Sequence, residues 1–388
     1  MAMKVREQNL AVFGASGSGK TVLLSSFYGA AREPAFRSGS LYNLLANDTG
    51  QGNRLHQNYL KMKNASEAPR PTTFKATSYA FTVKPNGDSA KNAKSQPFSA
   101  LRLIWHDYPG EWFEQDPSSE EEAARRIETF TRLMKSDVAL ILIDGQKLLD
   151  YPGEEEKYLK HLLSSIGDGL ERLKDDILTN GEPLTEFPRI WVFALSKADL
   201  HPELDVEGFK ELVIEKAGHD IESLQQTIRG FIQVPDALSI GDDFLLLSSA
   251  KFEPGKITVT ERVGVDLILP VASMLPLERV AQWAGKFNLP LKMVGGLVDH
   301  AEALAAVLIG PGGTLAARLL GKVPKVGALL GPLAIPALTE LVQFGQSKLA
   351  EIHAQAVKDK DYLTAILTKF RLDLDEGVEN RLLAKNPW

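Results

Sequence analysis

Gly14-Ala15-Ser16-Gly17-Ser18-Gly19-Lys20-Thr21 constrains this chain more than any other stretch. It has the spacing G-x-x-x-x-G-K-S/T and stands between the apolar run 10–13 and the apolar-periodic segment 22–28. That context predicts a strand, a glycine-rich turn and the start of a helix. Glycines let a backbone wrap closely around an anion. Successive N–H groups and the helix N-terminus then aim partial positive charge at it. Gly14, Ser16, Gly17, Ser18, Gly19 and Val22 would line a triphosphate site. Lys20 would reach the outer phosphates, and the Thr21 hydroxyl would sit on Mg²⁺.

With 388 residues the chain has room for one large or two ordinary domains. A net charge of −6 argues against an overall nucleic-acid footprint. The absence of cysteine excludes disulfides and thiolate metal sites. The N-terminus runs straight into the first predicted strand without a signal-peptide pattern, so a cytoplasmic protein is expected.

The segment 35–70 lacks periodicity and reads as a long mobile or functional stretch. Residues 73–83, rich in β-branched and aromatic side chains, predict a strand. A polar loop follows, and 101–106 predict a second strand running into Asp107-Tyr108-Pro109-Gly110. The pattern is helical over 118–135, and 138–143 is a continuous apolar run, as in a parallel strand buried on both faces. A long amphipathic helix is predicted over 154–178, then a buried strand over 189–195 that ends in Ser196-Lys197-Ala198-Asp199. Two helices follow at 206–217 and 221–231, and a last strand, 244–247, ends in Ser248-Ser249-Ala250-Lys251. Residues 264–287 read as helix interrupted by Pro270 and Pro276. Strands alternating with helices predict an α/β fold with a mostly parallel sheet covered on both faces.

Taken in order, Gly14–Thr21, Asp107-x-x-Gly110, Ser196-Lys197-x-Asp199 and Ser249-Ala250-Lys251 resemble the motif set of the translation-factor class of P-loop GTPases. That class includes the Ras-like small GTPases, and the resemblance covers residues 8–285. Each motif ends its own predicted strand, the edge of an open α/β sheet where ligands bind. The resemblance implies a three-layer Ras-like fold that binds GTP or GDP with Mg²⁺ and hydrolyses GTP as a switch. Asp107 would hold Mg²⁺ through water, and the Gly110 N–H would meet the γ-phosphate. The Lys197 stem would lie over the purine. Asp199 would pair both oxygens with guanine N–H groups, a pairing that adenine cannot satisfy. Ala250, between Ser249 and Lys251, would offer its N–H to the guanine O6.

Serine stands at 196 where the family usually has asparagine or threonine, which loosens the tie to the phosphate loop. Glu111 follows the D-x-x-G where a water-positioning glutamine is common. A carboxylate there can orient water but repels the γ-phosphate, so hydrolysis is expected to be slow; a solvent-facing role is the alternative. The resemblance places the Mg²⁺-binding switch threonine at Thr72 or Thr73, with Thr49 a distant third. Arg70, three residues ahead of Thr73, has the spacing by which heterotrimeric G-protein α-subunits supply an arginine in cis; a solvated loop arginine is the alternative. His106 reads as a core or surface residue, and Trp105, Trp112 and Phe113 as packing around the switch.

Residues 1–286 are expected to form the GTPase domain, and 287–388 an apolar, Gly/Pro-broken helical extension. The extension either packs on the core or touches the inner face of a membrane through its apolar segments and Arg318, Lys322 and Lys325. The expected partners are guanine nucleotide and an unidentified protein effector or regulator, with no nucleic acid. The chain is most similar to stand-alone bacterial proteins of the class, including the double-GTPase group. An ATPase or phosphotransferase with a structural Asp199, or a scaffold that rarely turns over, are the other readings.

Overall fold

The computed structural model describes residues 5–69, 77–86, 100–113, 117–178, 181–184, 187–276, 278–279, 283 and 346–386. Arg70, Thr72 and Thr73, the expected switch positions, lie outside the described residues, as do the side chains of Glu111 and Phe113 and the apolar stretch 284–345.

Alternation within the strands sets the layers. In β1 (Val5–Phe13), Leu10 and Val12 join one apolar cluster while Ala11 and Phe13 join another on the opposite face. The same split recurs in β5 (Val138–Asp144) and β6 (Ile190–Ser196), both buried throughout. Both-face burial is why these strands read as continuous apolar runs. With β4 (Ala100–Asp107) and β7 (Ser239–Leu247) they form a parallel core in the order β7-β6-β5-β1-β4. Every carboxyl end in that core therefore emerges at one edge.

One face is covered by α1 (Lys20–Ala30), α9 (Ile268–Ser273) and α11 (Tyr362–Glu379), the last paired with α10 (Gln346–Lys358). The other face carries α4 (Glu120–Leu133), α6 (Glu155–Arg172) and α8 (Val206–Arg229). The fold is the expected three-layer α/β sandwich with a C-terminal helical extension.

The stretch 35–70 departs from its expectation. It holds the short helix α2 (Pro34–Gly39), strand β2 (Tyr42–Ala46) and a 17-residue helix α3 (Thr49–Ala65). β2 pairs antiparallel with β3 (Thr77–Pro85), which pairs antiparallel with β4. The Asp48 carboxylate accepts the Gln51 N–H at 2.7 Å and caps α3. That helix buries Leu55, Tyr59 and Met62, keeps Leu60 half-buried beside them, and is mostly polar otherwise. A Cβ on Gly29 would stand 2.2 Å from the Tyr59 ring, so α1 and α3 cross where only glycine fits. Thr49 opens α3.

The helices expected at 206–217 and 221–231 are one element, α8, kinked at Ala217 (φ −142°). Pro270 sits in the first turn of α9, where a helix has no use for its missing N–H. At the far end β10 (Leu383–Ala384) adds antiparallel to β7. Glu278 ties this region down from within the core: Arg371 Nε lies 2.9 Å and Lys385 Nζ 3.1 Å from its carboxylate. Among the described residues no helix is long and apolar enough to cross a membrane.

Candidate functional site

The turn after β1 wraps as its glycines predict. Gly17 (φ 82°) and Gly19 (φ 87°) occupy the left-handed region that side chains avoid. Lys20 Nζ donates to the Gly14 carbonyl at 2.7 Å and the Ala15 carbonyl at 3.2 Å. It also stands 5.2 Å from the centroid of the Tyr108 ring. Behind the loop, the Gly14 N–H donates to the Tyr108 hydroxyl at 3.1 Å. The residue between Asp107 and Pro109 is thus bonded to the phosphate loop, a link that the D-x-x-G spacing does not reveal.

Asp107 ends β4 and is buried. Burial pushes its carboxyl up to about 6, against the opposing pull of the Lys20 ammonium and a 3.0 Å hydrogen bond from the Tyr108 N–H. Gly110 begins a 3₁₀ turn with Glu111 as its second residue. A Cβ on Gly110 would lie 2.2 Å from the Ser16 nitrogen, so the two motifs touch through backbone. Trp112 is buried and packs its ring against Phe130 and under Arg126; Trp105 is wholly buried.

At the next strand ends, the Ser196 hydroxyl donates to the Ile143 carbonyl at 3.1 Å, toward the neighbouring strand. Asp199 Oδ1 accepts from the Ser248 hydroxyl at 2.6 Å, and Oδ2 accepts the Phe252 N–H at 3.2 Å. Ser26 on α1 donates to the Ser249 carbonyl at 2.6 Å, which ties the phosphate-loop helix to the Ser249–Lys251 loop. Ala250 is fully buried, and Lys251 opens the hairpin strand β8 (Lys251–Glu253), 3.7 Å from Glu253 and 3.6 Å from Glu261.

Two cavities join these motifs. One of about 160 Å³ is lined by Ser16 to Val22, Pro69, Asp107, Tyr108 and Gly110. The other, of about 260 Å³, is lined on one side by Gly17, Ser18, Gly19, Val22 and Leu23. Its far side is formed by Gln146, Ser196, Lys197, Asp199, Leu247 to Ser249 and Phe252. Gly17, Ser18, Gly19 and Val22 belong to both, so Asp107 and Asp199 open on one groove. Larger cavities lie elsewhere, between α4 and α6 and beside α11, away from Asp107 and Asp199. Tyr108, Asp144, Gln146, Ser248 and Phe252 were not marked by any motif. Three of them were within reach of one: Tyr108 stands inside the D-x-x-G, Ser248 directly precedes Ser249, and Phe252 directly follows Lys251.

His106 proves to be a buried strand residue bridging its neighbours. Its Nδ1 lies 2.8 Å from Ser78 Oγ and its Nε2 3.1 Å from Asn9 Oδ1, the pattern of a neutral ring donating from Nε2. Burial, with a smaller push from Arg132, lowers it to about 4. The unfolded chain takes up that proton near 6.5, so in the window between the two values the unfolded state binds more protons. The contribution of His106 is therefore fully present above about 6.5 and is lost as pH falls through about 4. Urea unfolding of nucleotide-free protein in chelator should show wild type losing about 2 kcal/mol more than His106→Asn between pH 7 and 5. Equal losses would deny His106 this role.

Residues 8–225, more than half of the chain, match the Double-GTPase 2 family. The match includes Gly14–Thr21, Asp107–Gly110 and Ser196–Asp199. No curated protein matches. Among solved structures, the chain is similar to the signal recognition particle receptor SRb in its GTP/SRX complex from Chaetomium thermophilum. That similarity is at 17% identity over 66% of this chain and 94% of that one, with a TM-score of 0.32. A nucleolar GTP-binding protein 1 from Plasmodium falciparum is similar at 13% identity, over 73% of this chain and 91% of that one, TM-score 0.31. Elongation factor SelB from Methanococcus maripaludis, with a GTP analogue, is similar at 14%, over 64% and 31%, TM-score 0.23. The family match does not favour an ATPase or phosphotransferase. The chain belongs to the Double-GTPase 2 family, and is a GTP-binding protein and GTP hydrolase on a Ras-like P-loop fold.

Proposed function

We propose that this protein is a Mg²⁺-dependent molecular switch that hydrolyses GTP slowly. The observation that carries the reading is the groove shared by Asp107 and Asp199 across Gly17 to Gly19. Gly14 and Ser16 to Val22 cradle the phosphates, with Lys20 on the outer ones. Thr21 and Asp107 present hard oxygen donors on one cavity wall, a set that fits Mg²⁺. Thr72 or Thr73 adds the switch hydroxyl. The metal, when bound, supplies charge neutralisation at the transferring phosphate. Gly110 offers its N–H to the γ-phosphate. Lys197 forms a shelf for the purine, and Asp199 reads guanine with Ser196, Ser249, Ala250 and Lys251 around it.

Glu111 positions the attacking water at the cost of repulsion from the γ-phosphate, and Arg70 reaches the developing charge in cis. Single-turnover hydrolysis of labelled GTP tests this. The rate should vanish in chelator, fall roughly tenfold or more in Arg70→Ala, and rise in Glu111→Gln. A rate indifferent to chelator would sink the metal-dependent reading, and an unchanged Arg70→Ala would remove the cis arginine.

The helical extension lies over the sheet face that also carries α1, which supports its reporting the nucleotide state to a protein effector or regulator. The protein acts in the cytoplasm. The apolar stretch before α10 provides the alternative of peripheral membrane contact, for which flotation with liposomes in GTP and in GDP is the test.

A further inference from the structure

Asp144 ends β5 at the same sheet edge as the motifs, yet belongs to none of them. Its carboxylate is buried, and both oxygens face the Lys197 ammonium, at 2.7 and 2.9 Å. Its own position is determined independently. Oδ1 accepts the Gln146 N–H at 3.0 Å, capping the short helix α5 (Gly145–Asp150). Its backbone N–H donates to the Tyr158 hydroxyl at 2.8 Å. The carboxylate cannot turn away without abandoning the cap.

The chain around Lys197 is pressed on the same unit. A Cβ on Gly145 would stand 2.7 Å from the Ser196 carbonyl oxygen and 3.1 Å from that of Lys197. His201 Nε2 lies 2.7 Å from the Gly145 carbonyl oxygen. Lys197 itself has φ 56°, a left-handed conformation that persists in a non-glycine residue only when its surroundings over-determine it. The Lys197 side chain is 30% exposed, so the ion pair contributes little to stability. What it does is geometric. An unpaired lysine is a hydrated charge on a flexible stem; one held at its tip has its methylenes fixed.

We propose that Asp144 is a positioning residue of the base site, holding the Lys197 ammonium so that its stem forms a rigid shelf under the purine. The proposal rests on the reading that Lys197 and Asp199 hold guanine. A free lysine would surrender its rotamer freedom on every binding event. Because the shelf contacts the flat of the ring, it serves any purine equally, unlike Asp199, which reads the edge.

Titration of the full chain with fluorescent GTP, GDP and XTP (xanthosine triphosphate) tests it. Asp144→Asn keeps a capping oxygen for Gln146, since asparagine caps as well as aspartate. It should weaken GTP and GDP alike by roughly tenfold, the scale of one lysine's rotamer entropy, and leave the GTP:XTP ratio unchanged. Lys197→Met approaches the pair from the other side with the cap intact and should give a similar loss. The double variant should be no weaker than the worse single one. Wild-type affinity in Asp144→Asn or in Lys197→Met overturns the proposal, and so does full additivity. Asp199→Asn separates the two layers. If it leaves the GTP:XTP ratio unmoved, the guanine reading and this proposal fall together. If it moves the ratio while Asp144→Asn binds like wild type, only the proposal falls.

Discussion

Asp199→Asn should weaken GTP binding on the order of a thousandfold and make XTP the preferred ligand. The carboxylate offers two acceptors, matching the N1–H and N2–H₂ donors of guanine. An asparagine amide offers one acceptor and one donor, which matches the N1–H and O2 of xanthine instead. Against guanine it sets a donor against a donor inside a desolvated groove, and the penalty is the full cost of unpaired buried groups. The local structure admits the swap. The amide oxygen would keep the Phe252 N–H, now 3.2 Å from Oδ2, because a backbone donor cannot reverse. The amide nitrogen would then face Ser248, whose hydroxyl can turn its hydrogen to the Ala250 carbonyl 2.7 Å away and become the acceptor. The variant should therefore melt near the wild-type temperature. Competition of GTP, XTP and ATP against a labelled nucleotide measures the outcome, and a GTP preference left intact would remove Asp199 from the base edge.

The motifs were legible because each rests on local chemistry. A glycine at φ 82° or 87° is visible as a glycine, and a strand buried on both faces is visible as an unbroken apolar run. Elements that take their reasons from distant partners were not legible. α3 shows few apolar residues, and its polar surface hid the buried set Leu55, Tyr59 and Met62. β7 begins at Ser239, earlier than its apolar part, and carries Asp243 into the core; that charge is tolerated because Arg279 arrives from further along the chain. β10 is a strand only because β7 offers it an edge. The same holds in the site. Lys197 and Asp199 were found by spacing, whereas Asp144 meets Lys197 across 53 residues and only because β5 and β6 pair Asp144 with Ser196. Sequence spacing reveals residues that act from one turn; it does not reveal those that meet across a sheet.

Lys20→Met should lower GTP affinity by roughly tenfold to a hundredfold and depress single-turnover hydrolysis further, on the order of a thousandfold. The two effects differ because the charge on the transferring phosphate is redistributed in the transition state, where a fixed ammonium acts most strongly. Methionine keeps the length and apolar body of the stem beside the Tyr108 ring, so the loop should hold its shape. The Gly14 and Ala15 carbonyls, now accepting from Nζ at 2.7 and 3.2 Å, would turn to water in the groove. A second consequence concerns Asp107. Burial already pushes that carboxyl up to about 6, and the Lys20 ammonium is the main influence holding it down. With the ammonium gone, Asp107 moves further up and a larger share of it is protonated near neutrality. Its affinity for a divalent cation falls accordingly. Lys20→Met should thus need more Mg²⁺ for half-maximal nucleotide binding than wild type, and raising the pH should recover part of the deficit but none of the lost phosphate contact. A Mg²⁺ requirement identical to wild type would uncouple Lys20 from Asp107, and wild-type hydrolysis in Lys20→Met would take the lysine out of the site altogether.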